Sequence, residues 1–118
     1  MDWIKLVSEE TLDSIKNDSA SKPVVLFKHS TRCSISAAAL SRLERAWNKD
    51  EMADIKFYFL DLLNYRNISQ KIESIFGIGH ESPQLLIISN GNCIYNSSHM
   101  GINYQEIKQQ LSKVAIKN

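Results

Sequence analysis

The sequence predicts an α/β fold: a mixed four-stranded sheet flanked by helices, in the order α-β-α-β-α-β-β-α. Three observations carry that expectation. Apolar strand-like runs alternate with helical patterns in two strand-helix-strand passages, which argues for parallel pairing through right-handed crossovers. Two later runs meet at Asn90-Gly91, the strongest short hairpin signal, which adds an antiparallel edge. The chain has 118 residues, 43% of them hydrophobic and 23% charged. That is enough for one core and too few for two, so residues 1–118 are read as a single domain.

Each element has its own signal. "SEETLDSIKN" reads as the first helix: Ser8 suits the N-cap, Glu9 and Glu10 suit the positive end of the helix dipole, and Leu12 and Ile15 share a face. "NDSASKP" breaks the chain, and "VVLFKH" is a β-branched and aromatic run typical of a buried strand. Residues 34 to 47 place Leu40, Leu43 and Trp47 on one helical face. "DIKFYFLD" is the second strand. "NISQKIESIFG" aligns Ile68, Ile72 and Ile75 and ends at Gly77, a C-terminal cap. "QLLIIS" and "NCIYNS" are the hairpin strands, and Asn103 with Glu106 forms a capping-box arrangement ahead of Ile107, Leu111 and Val114.

Composition narrows the function classes. A net charge of +1 gives no electrostatic case for nucleic acid or an anionic membrane. Apolar runs such as "QLLIIS" are far shorter than the roughly 20 residues that span a bilayer. The start "MDWIKLVSEE" lacks the basic-then-apolar order of a signal peptide, so a cytoplasmic location is expected. In that reducing compartment Cys33 and Cys93 are not expected to form a permanent disulfide. His29, His80 and His99 are scattered, and no metal site is assigned.

The junction "VVLFKHSTRCSISAAAL" places Cys33 between a strand and a helix. A thiolate is the nucleophile, so reactivity depends on how the site stabilises negative charge. At or next to the N-cap, the sulfur would face the backbone N–H groups of Ile35 and Ser36 and the helix dipole. Arg32 adds a nearby positive charge, and the hydroxyls of Thr31, Ser34 and Ser36 are further donors. A lone cysteine is otherwise a small buried hydrophobe. Cys33, however, sits in a polar loop at the carboxyl end of a strand, where open α/β sheets carry their sites. It is therefore read as reactive. Cys93, inside "NCIYNS", is read as structural, with a distant resolving role left open. His29 is read as a half-buried strand-end residue close enough to influence Cys33, and His99 receives no role. "GIGHESPQLLIISNG" puts Pro83 at the first residue of a strand. The residues alone leave the Ser82-Pro83 bond cis or trans.

Taken together, "VVLFKHSTRCSIS" and "FGIGHESPQLLIISNG" resemble the thioredoxin superfamily over nearly the whole chain. More closely, "KHSTRCSIS" resembles the monothiol bacilliredoxin family of the bacterial bacillithiol system, whose motif is Thr-Cys-Pro-Ile-Ser after a Lys-His-Ser strand end. The resemblance implies a thioredoxin-like fold and a cis-proline at Pro83. It implies thiol-disulfide exchange that removes bacillithiol from S-thiolated client proteins. Cys33 would be catalytic, with Arg32, Ser34 and Ser36 stabilising the thiolate and Thr31, Ser82 and Pro83 binding substrate. Ser36 would occupy the place of the resolving cysteine. No bound cofactor is implied. Bacillithiol, or another small thiol, is the co-substrate, a second thiol or a reductase regenerates Cys33, and the protein is expected to act as a monomer. The chain departs from the motif at Arg32, in place of threonine, and at Ser34, in place of proline.

Two alternatives stay open at this level: a glutaredoxin-like protein using another small thiol, and a non-enzymatic peptide-binding module. Lys28, Arg32 and the Ser82 backbone are candidate contacts for a ligand carboxylate or amide. A phosphate-loop chemistry of the tyrosine phosphatase type is excluded, because it needs Arg six positions after the cysteine and the chain has Ala39.

Overall fold

The computed structural model describes residues 3–117, and side chains through Val114. The elements are β1 (Trp3–Lys5), α1 (Glu9–Asp18), β2 (Val24–His29), α2 (Ser34–Ala46), β3 (Lys56–Asp61), α3 (Arg66–Phe76), β4 (Gln84–Ser89), β5 (Asn92–Ser98), a 3₁₀ turn (His99–Gly101) and α4 (Tyr104–Lys117). They form one five-stranded sheet in the order β1-β3-β2-β4-β5. Two expectations are corrected. The sheet has five strands, because Trp3–Lys5 adds an edge strand parallel to β3. Three residues carry no readable period; the Trp3 ring docks them instead, 4.1 Å from Phe57 and 5.2 Å from Phe59. The second correction concerns direction. β2 and β3 are parallel, but β4 runs antiparallel to β2. The two parallel crossovers are therefore β1-α1-β2 and β2-α2-β3, and the α3 passage returns the chain in the opposite sense.

β2 and β4 are buried at every position. Central strands covered on both faces read as continuous apolar runs instead of alternating ones. Their side chains divide between two cores. Val24, Leu26, Leu86 and Ile88 face α1 and α3, meeting Leu12, Ile15, Ile68 and Ile72. Val25, Phe27, Leu85 and Ile87 face α2 and α4, meeting Ala39, Leu43, Ile107 and Leu111.

The local signals hold. The Ser8 hydroxyl accepts from the Thr11 N–H at 3.3 Å, and Asn103 Oδ1 accepts from the Glu106 N–H at 3.0 Å. Gly77 takes φ +67° and donates its N–H to the Glu73 carbonyl, closing α3. Asn90 and Gly91 both have positive φ, 52° and 77°, the signature of a type I′ hairpin turn. Among the described residues, no helix is long and apolar enough to cross a membrane.

Candidate active site

β2 ends at His29, and the next residues turn the chain into α2. The Cys33 N–H closes that turn on the Ser30 carbonyl at 3.2 Å, and Cys33 is the N-cap of α2 with extended backbone. The carboxyl end of a parallel strand thus feeds directly into a helix start. Cys33 is partly exposed; Thr31, Arg32, Ser34 and Ile35 are exposed around it. Ser36 is the exception, with no accessible surface. Its Oγ lies 2.7 Å from His29 Nδ1 and accepts the Ser30 N–H at 3.1 Å. Burial lowers the His29 pKa, against the opposing pull of the Asp61 and Glu44 carboxylates. The ring is therefore neutral at pH 7, and it packs against both Phe27 and Phe59.

The other half of the site is the segment before β4. The Ser82-Pro83 peptide is cis. The antiparallel register pairs Lys28 with Gln84, which sets Pro83 level with His29 at the Cys33 end of the sheet. The His99 N–H holds the Pro83 carbonyl at 3.1 Å from the 3₁₀ turn. The Ser82 hydroxyl is buried and has no hydrogen-bond partner among the described residues.

Several sequence expectations change here. The Cys33 side chain makes no capping hydrogen bond, so the Ile35 and Ser36 N–H groups do not bond its sulfur. The Ser36 hydroxyl is turned toward His29 and Ser30, because the strand end and the helix start converge on it. His29 is buried, not half-buried. Lys28 is not a surface contact: it is 1% exposed and lies on the α3 side of the sheet. Its Nζ bonds His80 Nδ1 at 2.7 Å and Gln84 Oε1 at 3.2 Å. Desolvation brings its pKa down to about 8, with the Glu73 and Glu81 carboxylates acting in the opposite direction. A lysine inside an otherwise apolar strand run, opposite a glutamine in a second one, was the available signal for this pair.

Cys93 stands apart. It pairs with Ile88, which pairs with Val24, at the far end of β2 from Cys33. The length of β2 separates the two levels, about 16 Å at the usual rise per residue. Its thiol is directed to the Tyr95 carbonyl at 3.3 Å, and burial pushes its pKa up. The resolving role left open by the sequence is not available in this arrangement. Among the described residues, no three His, Cys, Asp or Glu side chains converge as metal ligands.

A partly exposed lone cysteine at a strand-to-helix junction, beside a cis-proline on a five-stranded mixed sheet, defines a thiol-disulfide redox protein of thioredoxin fold. Solved structures agree on the fold. One, described as a thioredoxin-fold protein proposed to be an oxidoreductase, is 29% identical, covers 91% of each chain and has a TM-score of 0.76. Thioredoxin from Trypanosoma brucei brucei is 20% identical over 99% of this chain and 93% of its own, with a TM-score of 0.74. Fasciola hepatica thioredoxin is 15% identical over 92% and 96%, with a TM-score of 0.70. The family model for monothiol bacilliredoxin BrxC matches residues 4–107. The chain belongs to the monothiol bacilliredoxin family.

Proposed function

We propose that this protein removes bacillithiol from mixed disulfides on other proteins, with Cys33 as the nucleophile. The Cys33 thiolate attacks the bacillithiol sulfur. The client cysteine leaves as a thiolate, and Cys33 retains bacillithiol in a new disulfide. A second bacillithiol thiolate then attacks that adduct, releasing bacillithiol disulfide and the Cys33 thiolate; a reductase supplying two electrons serves the same end. Arg32 and Ser34 stand at the exposed rim where they favour the thiolate electrostatically. Thr31, Ser82 and Pro83 receive the substrate, with the Ser82 backbone pairing to an extended client segment. The protein acts as a monomer in the reducing cytoplasm.

The observation that carries this reading is the pairing of a partly exposed Cys33 with a fully buried Ser36 whose hydroxyl is already engaged. A dithiol protein would close a local disulfide at these two positions. Here the stable oxidised product is a mixed disulfide with an external thiol.

The test is intact mass after incubation with bacillithiol disulfide or glutathione disulfide. One bacillithiol adduct, absent from Cys33→Ser, is expected. Preferential glutathione adduction would assign the site to glutaredoxin-like chemistry. A chain that forms neither adduct would refute exchange and favour the peptide-binding module.

A further inference from the structure

Lys28 is buried in the middle of the sheet without an ion-pair partner among the described residues, and both groups that bond its ammonium are neutral. Removing an ammonium from water is costly unless the geometry compensates it. An apolar residue here would have completed the run of "VVLF". Packing therefore does not account for lysine at this position.

Its neighbours do. Lys28 Nζ bonds Gln84 Oε1 at 3.2 Å and thereby sets which way the Gln84 carboxamide faces. The same oxygen accepts the Glu81 N–H at 3.4 Å, and Gln84 Nε2 donates to the Gly79 carbonyl at 3.1 Å. Lys28 Nζ also holds His80 Nδ1 at 2.7 Å, with the Ser69 hydroxyl of α3 close by at 3.3 Å. Apart from the Lys28–Gln84 bond itself, each of these contacts reaches a residue between 79 and 81, immediately ahead of Ser82-Pro83. The ammonium and the correctly oriented amide together pin three consecutive loop residues from beneath.

We propose that Lys28 is a positioning residue: from the α3 side it fixes the loop that presents the Ser82 backbone to a peptide substrate beside Cys33. This deepens the exchange reading above and rests on it. Cys33 itself begins α2, whose helix packs on the opposite face of the sheet. The nucleophile and the loop are therefore held by separate machinery. Loss of Lys28 should weaken capture of an extended chain and leave the sulfur chemistry alone.

The experiment compares two probes on wild type and Lys28→Met. One is an extended peptide carrying a single cysteine as its bacillithiol mixed disulfide. The other is bacillithiol disulfide, which has no chain to pair with the loop. Lys28→Met is expected to raise KM for the peptide by about fivefold or more, with kcat and the bacillithiol disulfide rate both within about twofold. Its melting temperature should equal or exceed that of wild type, whereas amide exchange at Glu81 should speed up. A folded Lys28→Met with unchanged peptide KM, or with both probes slowed equally, would overturn the proposal. His80→Phe removes the Nδ1 acceptor from an exposed loop position and leaves Lys28 in place, so it reads the same effect even if Lys28→Met fails to fold. Wild type inert to both probes would refute the exchange reading instead; unchanged Glu81 exchange in Lys28→Met would refute the loop-fixing role separately.

Discussion

The two ends of β2 are built from different materials. At its start, Val24 and Val25 pair with Ile88 and Ile87, and both faces are sealed by apolar side chains. At its finish, Lys28, His29 and Ser30 are buried together with Gln84 and Ser36 in two separate hydrogen-bonded groups, Lys28 with Gln84 and both His29 and Ser30 with Ser36. Each end also has one cysteine. Cys93 lies at the aliphatic end, with its thiol turned to a backbone carbonyl, and Cys33 lies partly exposed at the polar end. The difference teaches that one strand can be both a stability element and a site element. Buried polar groups are tolerated where every partner is supplied, because an unpaired one costs more than the bond returns. Their concentration sets this end of the sheet apart before any cysteine is considered.

Breaking the comparison outright takes the cysteines. Cys33→Ser should abolish release of bacillithiol from a modified protein, whereas Cys93→Ser should leave the rate within about twofold; equal loss in both would erase the functional distinction between the ends. At the aliphatic end, Ile88→Ala should cost about 2–5 kcal/mol in denaturant unfolding, with exchange rates intact below the transition. At the polar end, Ser36→Ala leaves the His29 ring and the Ser30 N–H without their shared partner. A loss of about 1–3 kcal/mol is expected, together with slower exchange. Unchanged stability in that variant would mean the Ser36 contacts contribute nothing.

The smallest effect is a pH slope. The Lys28 pKa falls from 10.5 to about 8 in the folded chain, so between those values the unfolded chain binds more protons. Stability from this group therefore rises with pH across that window. The groups facing it are His80, Glu73 and Glu81, and the two carboxylates oppose the shift. Lys28→Met removes the titration, so its advantage over wild type should shrink as pH climbs from about 8 to about 10.5. A constant gap would show that Lys28 keeps its ordinary pKa.

Much of this was legible in the residues. "VVLFKH" was legible as a buried strand through its β-branched and aromatic start and "QLLIIS" as a hairpin strand, and Gly77 and Asn90-Gly91 fixed an end and a turn through their φ requirements. The placement of Cys33 between a strand end and a helix start was legible from its position in the chain. The direction of β4 was not, because the same strand-helix-strand text serves parallel and antiparallel returns. β1 was hidden by its shortness. The placement of Lys28 was hidden because a long lysine stem normally carries its charge out to water. The Ser36 hydroxyl could not be aimed without knowing how closely the end of β2 and the start of α2 approach each other. A helix N-terminus suggested the wrong acceptor for it.

The serine at position 36 also settles who controls the clock. In a molecule with a second thiol one turn away, a stalled covalent adduct expires by itself, since the neighbour attacks at a rate set by the fold. A hydroxyl tied to His29 and Ser30 cannot do that, and the remaining cysteine is at the far end of the sheet. On the exchange reading proposed above, the lifetime of a disulfide formed on Cys33 is therefore set from outside the protein, by the supply of free thiol or of a reductase. The occupancy of Cys33 would then be a running record of that supply.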